Sequence, residues 1–453
     1  MRRDVVRVGN GQGFWGDSVD APARMLGGGP LDYLTLDYLA EVTMSIMRRL
    51  RRRNPAAGYA TDFIDLMRRI FPEVREKGIR VVANAAGVNP GACLEALKRA
   101  AKGAGVAGVT VASVSGDDIL DRLDAILAAG VPLANMDDGR PLSAIRKKVL
   151  SANVYLSSFP IAEALDGGAS VVVTGRSTDP GLVVGPLIHE FGWGRADWDR
   201  LASGTVAGHI LECGAQCTGG NFSRWWEVEG WDRIGYPIAE AGSDGSFVIT
   251  KHEGSGGLVS VDTVAEQLVY EMGDPRRYIT PDVIADFTSI RLDPAGRDRV
   301  RVTGVRGSPP TGTYKVSISY LDGYAALGQL TISGPQAREK AHLAAEIAWS
   351  RLKKAGCVFE ETLTEVVGEG VCRGAAAPEP GDPPEVVLRL GVRDHDESRV
   401  KRFGKEIAPL VTSGPPGITG FAGGRPKPRE VVAFWPALIP KDLVTAEVHL
   451  EAM

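Results

Sequence analysis

Five short apolar runs, rich in β-branched residues and each ending in small polar residues, occur in the first 180 residues of this 453-residue chain. They are VVRVGNGQGFWGDS, YLTLDYLAE, VVANAAGVNPG, VTVASVSGDD and VVVTGRSTDPG. Segments with helical periodicity separate them, so the pattern predicts an α/β fold: a mostly parallel sheet with flanking helices.

The polar residues that follow these runs are candidates for one shared site. In parallel α/β folds substrates bind beyond the carboxyl ends of the strands, where such residues would meet. The residues in these positions are Asn10, Asp17, Asp37, Asn84, Asn89, Asp117, Arg176 and Asp179.

Composition changes along the chain predict its domain organisation. The strand–helix alternation predicts an α/β domain over residues 1–220, and short strands mixed with helices predict a smaller α+β domain over 221–373. Pro and Gly dominate 374–384, which predicts a linker, and strand signals in 385–453 predict a segment packed on the preceding domains.

The charge balance indicates the class of partner. The chain has 52 Lys and Arg against 56 Asp and Glu, a net charge of −4. This weighs against nucleic acid or an anionic membrane as the main partner and favours a small molecule. The basic run at 48–53 falls at a predicted helix end, where cations complement the helix dipole, and we favour that interpretation over a polyanion site.

Cysteine usage and the amino terminus indicate the compartment. The five cysteines are odd in number and lack paired spacing, so we expect reduced thiols rather than disulfides or a structural zinc site. No segment resembles a signal peptide or reaches the roughly 18 apolar residues of a membrane span. We therefore expect a cytoplasmic protein.

The first strand end, GNGQGFWGDS, has features of an anion site. Backbone N–H groups at Gly11 and Gly13, with the side chains of Asn10 and Asp17, are placed to bind an anionic group before a helix. The loop lacks the G-x-G-x-x-G spacing and the P-loop lysine of nucleotide sites. A tight turn is an equally good interpretation.

Arg176, in TGRSTDPG, is suited to bidentate contact with a carboxylate or phosphate. Asp179 in the same turn is a catalytic candidate. The alternatives are an Arg176–Asp179 bridge that locks the loop and a helix cap by Asp179.

Side-chain amides and carboxylates occupy two further strand ends. We interpret Asn84 as a group that polarises a substrate carbonyl, and Asn89 as a helix cap near the substrate. Asp37 and Glu41 form a carboxylate pair suited to acid–base chemistry, with ordinary helix-start acids as the alternative.

HILECGAQCTGGN places His209 and Glu212 at i and i+3 of a predicted helix, with Gln216 on the same face. Since no metal-binding motif occurs, we predict no metal and assign acid–base chemistry to Glu212. A satisfied core carboxylate is the alternative. Lys251, in the Gly-rich TKHEGSGG, is a second candidate for binding an acidic group, with an exposed turn as the alternative.

The chain resembles the acyclic terpene utilisation family over nearly its whole length. The motifs that carry the resemblance include GNGQGFWGDS, NAAGVNP, VTGRSTD, PLIHEFGW, GTVAGHILECGAQCTGGNF, GSGGLVS and SGPPGITG. The resemblance implies a role in the catabolism of branched or terpenoid acids, with coenzyme A as part of the substrate. Longer family members carry a C-terminal domain of ferredoxin-like fold, without an evident copy here, which suggests a separately encoded partner.

The leading hypothesis is a lyase or hydratase that acts on a branched acyl-CoA or carboxylic acid, needs no further cofactor and forms a homo-oligomer. The alternatives are a thioester or amide hydrolase and a non-catalytic scaffold subunit. The hypothesis assigns anion binding to Arg176 and the 9–16 loop, and proton transfer to Asp37, Asp179 or Glu212.

Overall fold

The computed structural model describes residues 4–39, 41–377, 381, 383–420 and 423–453, without the side chain of Glu41. In chain order, the strands of this described part are β1 (Val5–Gln12), β2 (Tyr33–Leu36), β3 (Arg80–Ala83), β4 (Thr110–Ser115), β5 (Val149–Val154), β6 (Val171–Thr174), β7 (Ile238–Gly242), β8 (Phe247–Thr250), β9 (Tyr278–Ile279), β10 (Ile284–Asp286), β11 (Arg291–Pro294), β12 (Arg299–Thr303), β13 (Arg306–Ser308), β14 (Thr313–Ser333), β15 (Glu361–Val367), β16 (Glu385–Asp394), β17 (Arg429–Pro440) and β18 (Glu447–Ala452).

The α-helices of the same residues are α1 (Ala21–Gly27), α2 (Glu41–Arg53), α3 (Thr61–Lys77), α4 (Pro90–Gly103), α5 (Leu123–Ala128), α6 (Phe159–Asp166), α7 (Gly181–Phe191), α8 (Trp198–Glu212), α9 (Val261–Val269), α10 (Ala337–Lys354), α11 (Glu397–Ile407) and α12 (Leu410–Ser413). None of these helices is long and apolar enough to cross a membrane.

The chain forms two compact units, Met1–Ser319 with Phe434–Met453, and Tyr320–Ala433. The expected boundary at residue 220 lies inside the first unit. The expected linker 374–384 falls in the second, and its residues 378–380 and 382 lie outside the described part. That residues 1–220 fold on their own stays a prediction.

A ten-stranded sheet in the order β11-β12-β8-β7-β1-β2-β3-β6-β4-β18 organises the first unit. Its centre, β1-β2-β3-β6-β4, is parallel, as the strand–helix alternation predicts. The other neighbouring pairs are antiparallel, so the sheet is mixed and the expectation of a mostly parallel sheet is wrong. The antiparallel strands satisfy the edge hydrogen bonds that β1 and β4 would otherwise leave open.

Strand β5 also departs from the expected alternation, because it pairs with β14 rather than with the parallel strands. Two helix ends, in contrast, lie where the sequence predicts them. Helix α3 stops at Gly78, whose φ of +64° is easily adopted by glycine and whose N–H bonds the Arg75 carbonyl. Helix α2 ends at Arg53, as expected for the basic run.

The main core of the first unit lies between the parallel strands and helices α1, α3 and α4. Phe63 and Phe71 of α3 and Leu97 of α4 are fully buried with Leu34 and Val81 of the sheet. Burial of each such side chain contributes about 1.5–3 kcal/mol. This packing holds the strand ends, and therefore the polar residues beyond them, in fixed positions.

The second unit follows the order β14-α10-β15-β16-α11-α12-β17, with the sheet order β15-β16-β14-β17. Strand β16 pairs antiparallel with both β14 and β15. Apart from the one-turn α12, this is the β-α-β-β-α-β order of ferredoxin-like units. Its core joins Leu330 and Leu388 of the sheet to Ala344 of α10 and Phe403 of α11. A separately encoded partner of ferredoxin-like fold stays a prediction.

Candidate functional site

The carboxyl ends of β2 and β3 bring Asp37 and Asn84 together. Asn84 donates from Nδ2 to Asp37 Oδ1 at 2.7 Å, and its own Oδ1 accepts from the Tyr38 N–H at 2.6 Å. Asp37 Oδ1 also accepts from the Leu39 N–H. Both side chains are buried, so these polar groups bond one another beside the strand ends.

Arg176, just after β6, is buried and its guanidinium is engaged by the fold. It donates to the Leu39 carbonyl at 2.7 Å and to both Asp179 oxygens, at 2.6 and 3.3 Å. It also stacks over the Tyr155 ring at 4.2 Å. The Arg176–Asp179 bridge considered from the sequence is therefore present, and binding of a substrate carboxylate by Arg176 stays a prediction.

Burial and nearby charges shift the acidities of this group. Burial, and then the charge of Asp179, raise the pKa of Asp37 well above its usual range, although Asn84 and Arg176 act in the opposite direction. Burial therefore favours the neutral form of Asp37 over its charged form. The expected Asp37–Glu41 pair lies outside the described residues, since the side chain of Glu41 is not described.

A cavity of about 440 Å³ opens beside Asp179 in the first unit. Its lining combines carboxylates, a histidine, three tyrosines and apolar side chains. The lining residues are Met136, Tyr155, Thr178, Asp179, Pro180, His209, Glu212, Glu271, Tyr278, Ile279, Thr280, Pro281, Thr311, Thr313, Tyr314, Lys315 and Leu438. Two of the four predicted catalytic residues, Asp179 and Glu212, are in this set, whereas Asp37 and Asn84 are not.

Glu212 and His209 form a pair in the last turn of α8. His209 Nδ1 lies 3.1 Å from Glu212 Oε1, so the two residues that the sequence places at i and i+3 of a helix are in contact. Within the described part of the chain, Glu212 Oε2 is buried and has no hydrogen-bond partner. Burial raises the pKa of Glu212, His209 lowers it, and the charges of Asp179 and Glu271 raise it again, leaving it above the usual range.

The raised pKa of Glu212 matches what a general acid or base needs near neutral pH. Burial lowers the pKa of His209, but the hydrogen bond and charge of Glu212 raise it to a net value above normal. The two side chains can therefore share one proton at the cavity.

Sequence reasoning missed several lining residues that come from beyond residue 221. The Tyr278 hydroxyl lies 3.5 Å from His209 Nδ1, and the Tyr278 and Phe287 rings both meet the imidazole edge to face. Glu271 adopts a φ of +53°, a strained conformation for a residue with a side chain. These residues follow no strand of the parallel core, so in the sequence only the aromatic character of Tyr278 and Phe287 could have drawn notice.

The glycine-rich loop after β1 packs against the fold. The Gly13 N–H and the Tyr236 hydroxyl donate to Asp17, at 2.9 and 2.7 Å. A Cβ on Gly13 would come within 2.7 Å of the Cys213 carbonyl carbon, and one on Gly11 within 3.0 Å of Pro22 Cα. Asn10 Oδ1 accepts from the Gln12 N–H. These contacts fit the tight-turn interpretation, and anion binding by the loop stays a prediction.

The three remaining predicted residues do not line this cavity. Asn89 stands at the start of α4, but its side chain forms no cap with the described helix residues and donates to the carbonyls of Pro55 and Ala57. Gln216 lies in a 3₁₀ turn at 214–218. Lys251 pairs with Asp298 at 3.2 Å and lines a separate cavity of about 590 Å³.

Asp117, just after β4, holds the loop that carries Arg176 through hydrogen bonds, an arrangement that we call the clamp. Its Oδ2 accepts from the Arg176 N–H at 2.9 Å and from Asn153 Nδ2 at 2.8 Å. Burial raises the pKa of Asp117 to about 7, although these two hydrogen bonds lower it. The clamp therefore contains a carboxyl that titrates near neutral pH.

We expect Asp117→Asn to flatten the dependence of stability on pH. An unfolded Asp has a pKa near 4, so between about pH 4 and pH 7 the folded chain binds the proton more tightly. The free energy of unfolding therefore falls as pH rises through this window, by roughly 3 kcal/mol between about pH 5 and pH 8. Urea unfolding across this range should show a loss about 3 kcal/mol smaller in the variant than in the wild type, with exposed Asp65→Asn as the control. Equal slopes in all three proteins would contradict the prediction.

We also expect Gly208→Ala to disturb the cavity wall. A Cβ at Gly208, one turn before Glu212, would lie 2.6 Å from Pro180 Cα. Such overpacking costs about 1–3 kcal/mol, more than the roughly 1 kcal/mol gained in helix propensity. Urea unfolding should show a loss of stability, whereas Gly91→Ala in α4, with nothing within 4 Å of its Cβ, should be neutral or stabilising. An equally stable Gly208 variant would show that α7 moves aside freely.

Comparison with known proteins adds one finding. The sequence model of the family described as acyclic terpene utilisation family protein AtuA matches residues 6–450. No curated protein and no solved structure matches the chain significantly. Among the described residues, no group of three or more His, Cys, Asp or Glu side chains is placed to hold a metal ion.

Proposed function

The chain belongs to the acyclic terpene utilisation family, and from this premise we propose that it is a hydratase or lyase acting on a branched carboxylic acid or its coenzyme A thioester. The observation that carries the proposal is Glu212. Its carboxyl lines a cavity, is buried, has one oxygen without a partner in the described part of the chain, and has a raised pKa.

In the proposed reaction Glu212 transfers protons to and from water. In the hydration direction its carboxylate takes a proton from a water whose oxygen bonds to the β-carbon of an enoyl substrate. The resulting carboxylic acid returns a proton to the α-carbon, so that H and OH add across the double bond and Glu212 is regenerated. The addition of water involves no net oxidation or reduction, so the reaction requires no redox cofactor, and coenzyme A enters as part of the substrate.

His209 and Asp179 support this chemistry in different ways. His209 holds Glu212 Oε1 at 3.1 Å and so orients Oε2. Asp179 lines the cavity while Arg176 neutralises its charge, which limits the repulsion between two neighbouring carboxylates. We assign Arg176, Asp37 and Asn84 as positioning residues, because their hydrogen bonds hold Asp179 and the strand ends.

The size and lining of the cavity suit a short branched substrate. A volume of about 440 Å³ falls at the small end of the usual range for ligand sites. Met136, Ile279 and Leu438 give the cavity an apolar part, and each is 43 to 53% exposed in the chain alone. Branched hydrocarbon bound there would cover these side chains.

The test is turnover of a panel of branched enoyl-CoA and 3-hydroxyacyl-CoA thioesters and the corresponding free acids. We expect gain or loss of the conjugated double bond without release of free thiol. Release of free thiol would instead identify a thioester hydrolase. No turnover of any panel member, in the presence or absence of partner proteins, would contradict the proposal and favour a scaffold.

A further inference from the structure

A second cleft, of about 930 Å³, lies within the unit Tyr320–Ala433. Residues of β14, β15 and β16 line it, together with the segment 423–431, which we call the basic strap. The cleft contains none of the proposed catalytic residues.

The floor of the cleft is an apolar strip across three strands. Gly391 of β16 stands directly opposite Leu327 of β14 and Leu363 of β15 in the sheet register. A Cβ on Gly391 would come within 3.2 Å of Leu363 Cβ and 3.3 Å of a Leu327 methyl carbon. Glycine here lets the two leucines approach each other, although they are 50% and 41% exposed in the chain alone. Exposed leucines side by side in a concave surface are typical of a ligand site.

Two other glycines allow the basic strap to pack closely against α11 and β14. A Cβ on Gly404 of α11 would come within 2.1 Å of the Pro426 carbonyl oxygen, and one on Gly328 of β14 within 3.0 Å of Pro426 Cγ. Pro426 thus fits a gap that only glycines leave open. The strap is therefore a built wall of the cleft.

The strap carries its cations on the exposed side. Arg425, Lys427 and Arg429 are exposed, whereas the intervening Pro426 and Pro428 are half-buried. At about 3 Å per residue, the outer two cations lie about 12 Å apart along the backbone.

The carboxylates of the lining do not cancel this charge. Glu361 is paired with Arg393 across the sheet, and Glu430, the other carboxylate of the lining, offsets the charge of only one of the three strap cations. The three strap cations therefore leave the cleft with a net positive charge beside an apolar floor.

We propose that this cleft binds an anionic ligand that has an apolar arm and more than one phosphate, that is, an organic polyphosphate ester. The three spaced cations match several phosphate groups better than a single carboxylate. The Leu327–Gly391–Leu363 strip accepts the apolar arm. This proposal does not rest on the reaction assigned to Glu212, because it concerns binding by a different set of residues.

The test is calorimetric titration of the full chain with four probes: isovaleryl-CoA, coenzyme A, ADP and inorganic phosphate. We expect isovaleryl-CoA to bind most tightly, coenzyme A and ADP less tightly, and phosphate least. The triple variant R425S/K427S/R429S should raise the Kd of the three phosphate esters at least tenfold and weaken the salt dependence of binding. Leu363→Asn should weaken isovaleryl-CoA more than ADP.

The matched control is K353S/K354S/K405S, which removes three positive charges from exposed lysines of the same unit. Its Kd values should equal those of the wild type. The proposal is overturned if none of the phosphate esters binds the wild type, or if the strap variant and the control bind them equally well. Because ADP carries no acyl group for the Glu212 cavity, the effect of the strap variant on ADP affinity is independent of whether Glu212 catalyses hydration.

Discussion

Glu212→Gln is expected to lower kcat by about 10²- to 10³-fold, the usual contribution of a general acid–base group. The amide preserves the volume of the side chain and contact with His209 but cannot take a proton from water. Steady-state kinetics on a substrate that the wild type turns over will measure the loss. The free energy of unfolding at neutral pH should not fall, because the raised pKa of Glu212 shows that burial disfavours its charge.

The matched control is Glu240→Gln. Glu240 is a partly buried glutamate on β7, away from the cavity lining, and it forms ion pairs with Arg7 and Arg299. Its replacement should cost some stability and leave kcat unchanged. The pH profile adds a second readout, since the ascending limb of kcat/KM should lie above the usual range for a glutamate and disappear in Glu212→Gln. A Glu212→Gln enzyme with wild-type kcat would rule out this residue as the proton-transfer group.

The second large effect is expected for Arg176→Met, which should lower the free energy of unfolding by about 3–5 kcal/mol. The side chain is 1% exposed, and its removal leaves the Leu39 carbonyl and the Asp179 carboxylate without their donor. Because methionine fills a similar volume, the loss in the free energy of unfolding will reflect the missing charge and hydrogen bonds rather than a cavity. Urea unfolding will measure the change.

Arg68→Met serves as the control for Arg176→Met. Arg68 pairs with Asp65 at the same i, i+3 spacing and a similar distance, 2.8 Å, but both side chains are more than half exposed. Solvent screens such a pair, so its loss should cost no more than about 1 kcal/mol. Equal costs for the two variants would mean that the buried bridge contributes no more than a surface pair.

The two predictions concern one arrangement of charge. The buried guanidinium of Arg176 donates a hydrogen bond to Asp179 and lowers the pKa of Asp37. Glu212 forms a separate pair with His209. Burial raises the pKa of both Asp37 and Glu212, and neighbouring carboxylates add to the shift. Carboxyls whose pKa values are raised in this way are candidates for acid–base chemistry.

Features that depend on local patterns could be read from the amino-acid sequence alone. Apolar runs followed by polar residues placed Asp37, Asn84 and Arg176 at the ends of parallel strands, because strand length and side-chain period are local properties. The i, i+3 spacing placed His209 and Glu212 on one face of a helix, where neighbouring turns bring such residues together.

Strand pairing, and the availability of each polar group, follow from the three-dimensional fold and not from local sequence. The antiparallel strands β7, β8, β11, β12 and β18 join the parallel core through hydrogen bonds that any exposed sheet edge offers, so no local pattern specifies them. The sequence likewise shows a polar side chain but not its partner. Arg176 and Asn84 are engaged by the fold, whereas Glu212 keeps a free oxygen in the described part of the chain, and Tyr278 reaches the cavity from a distant segment.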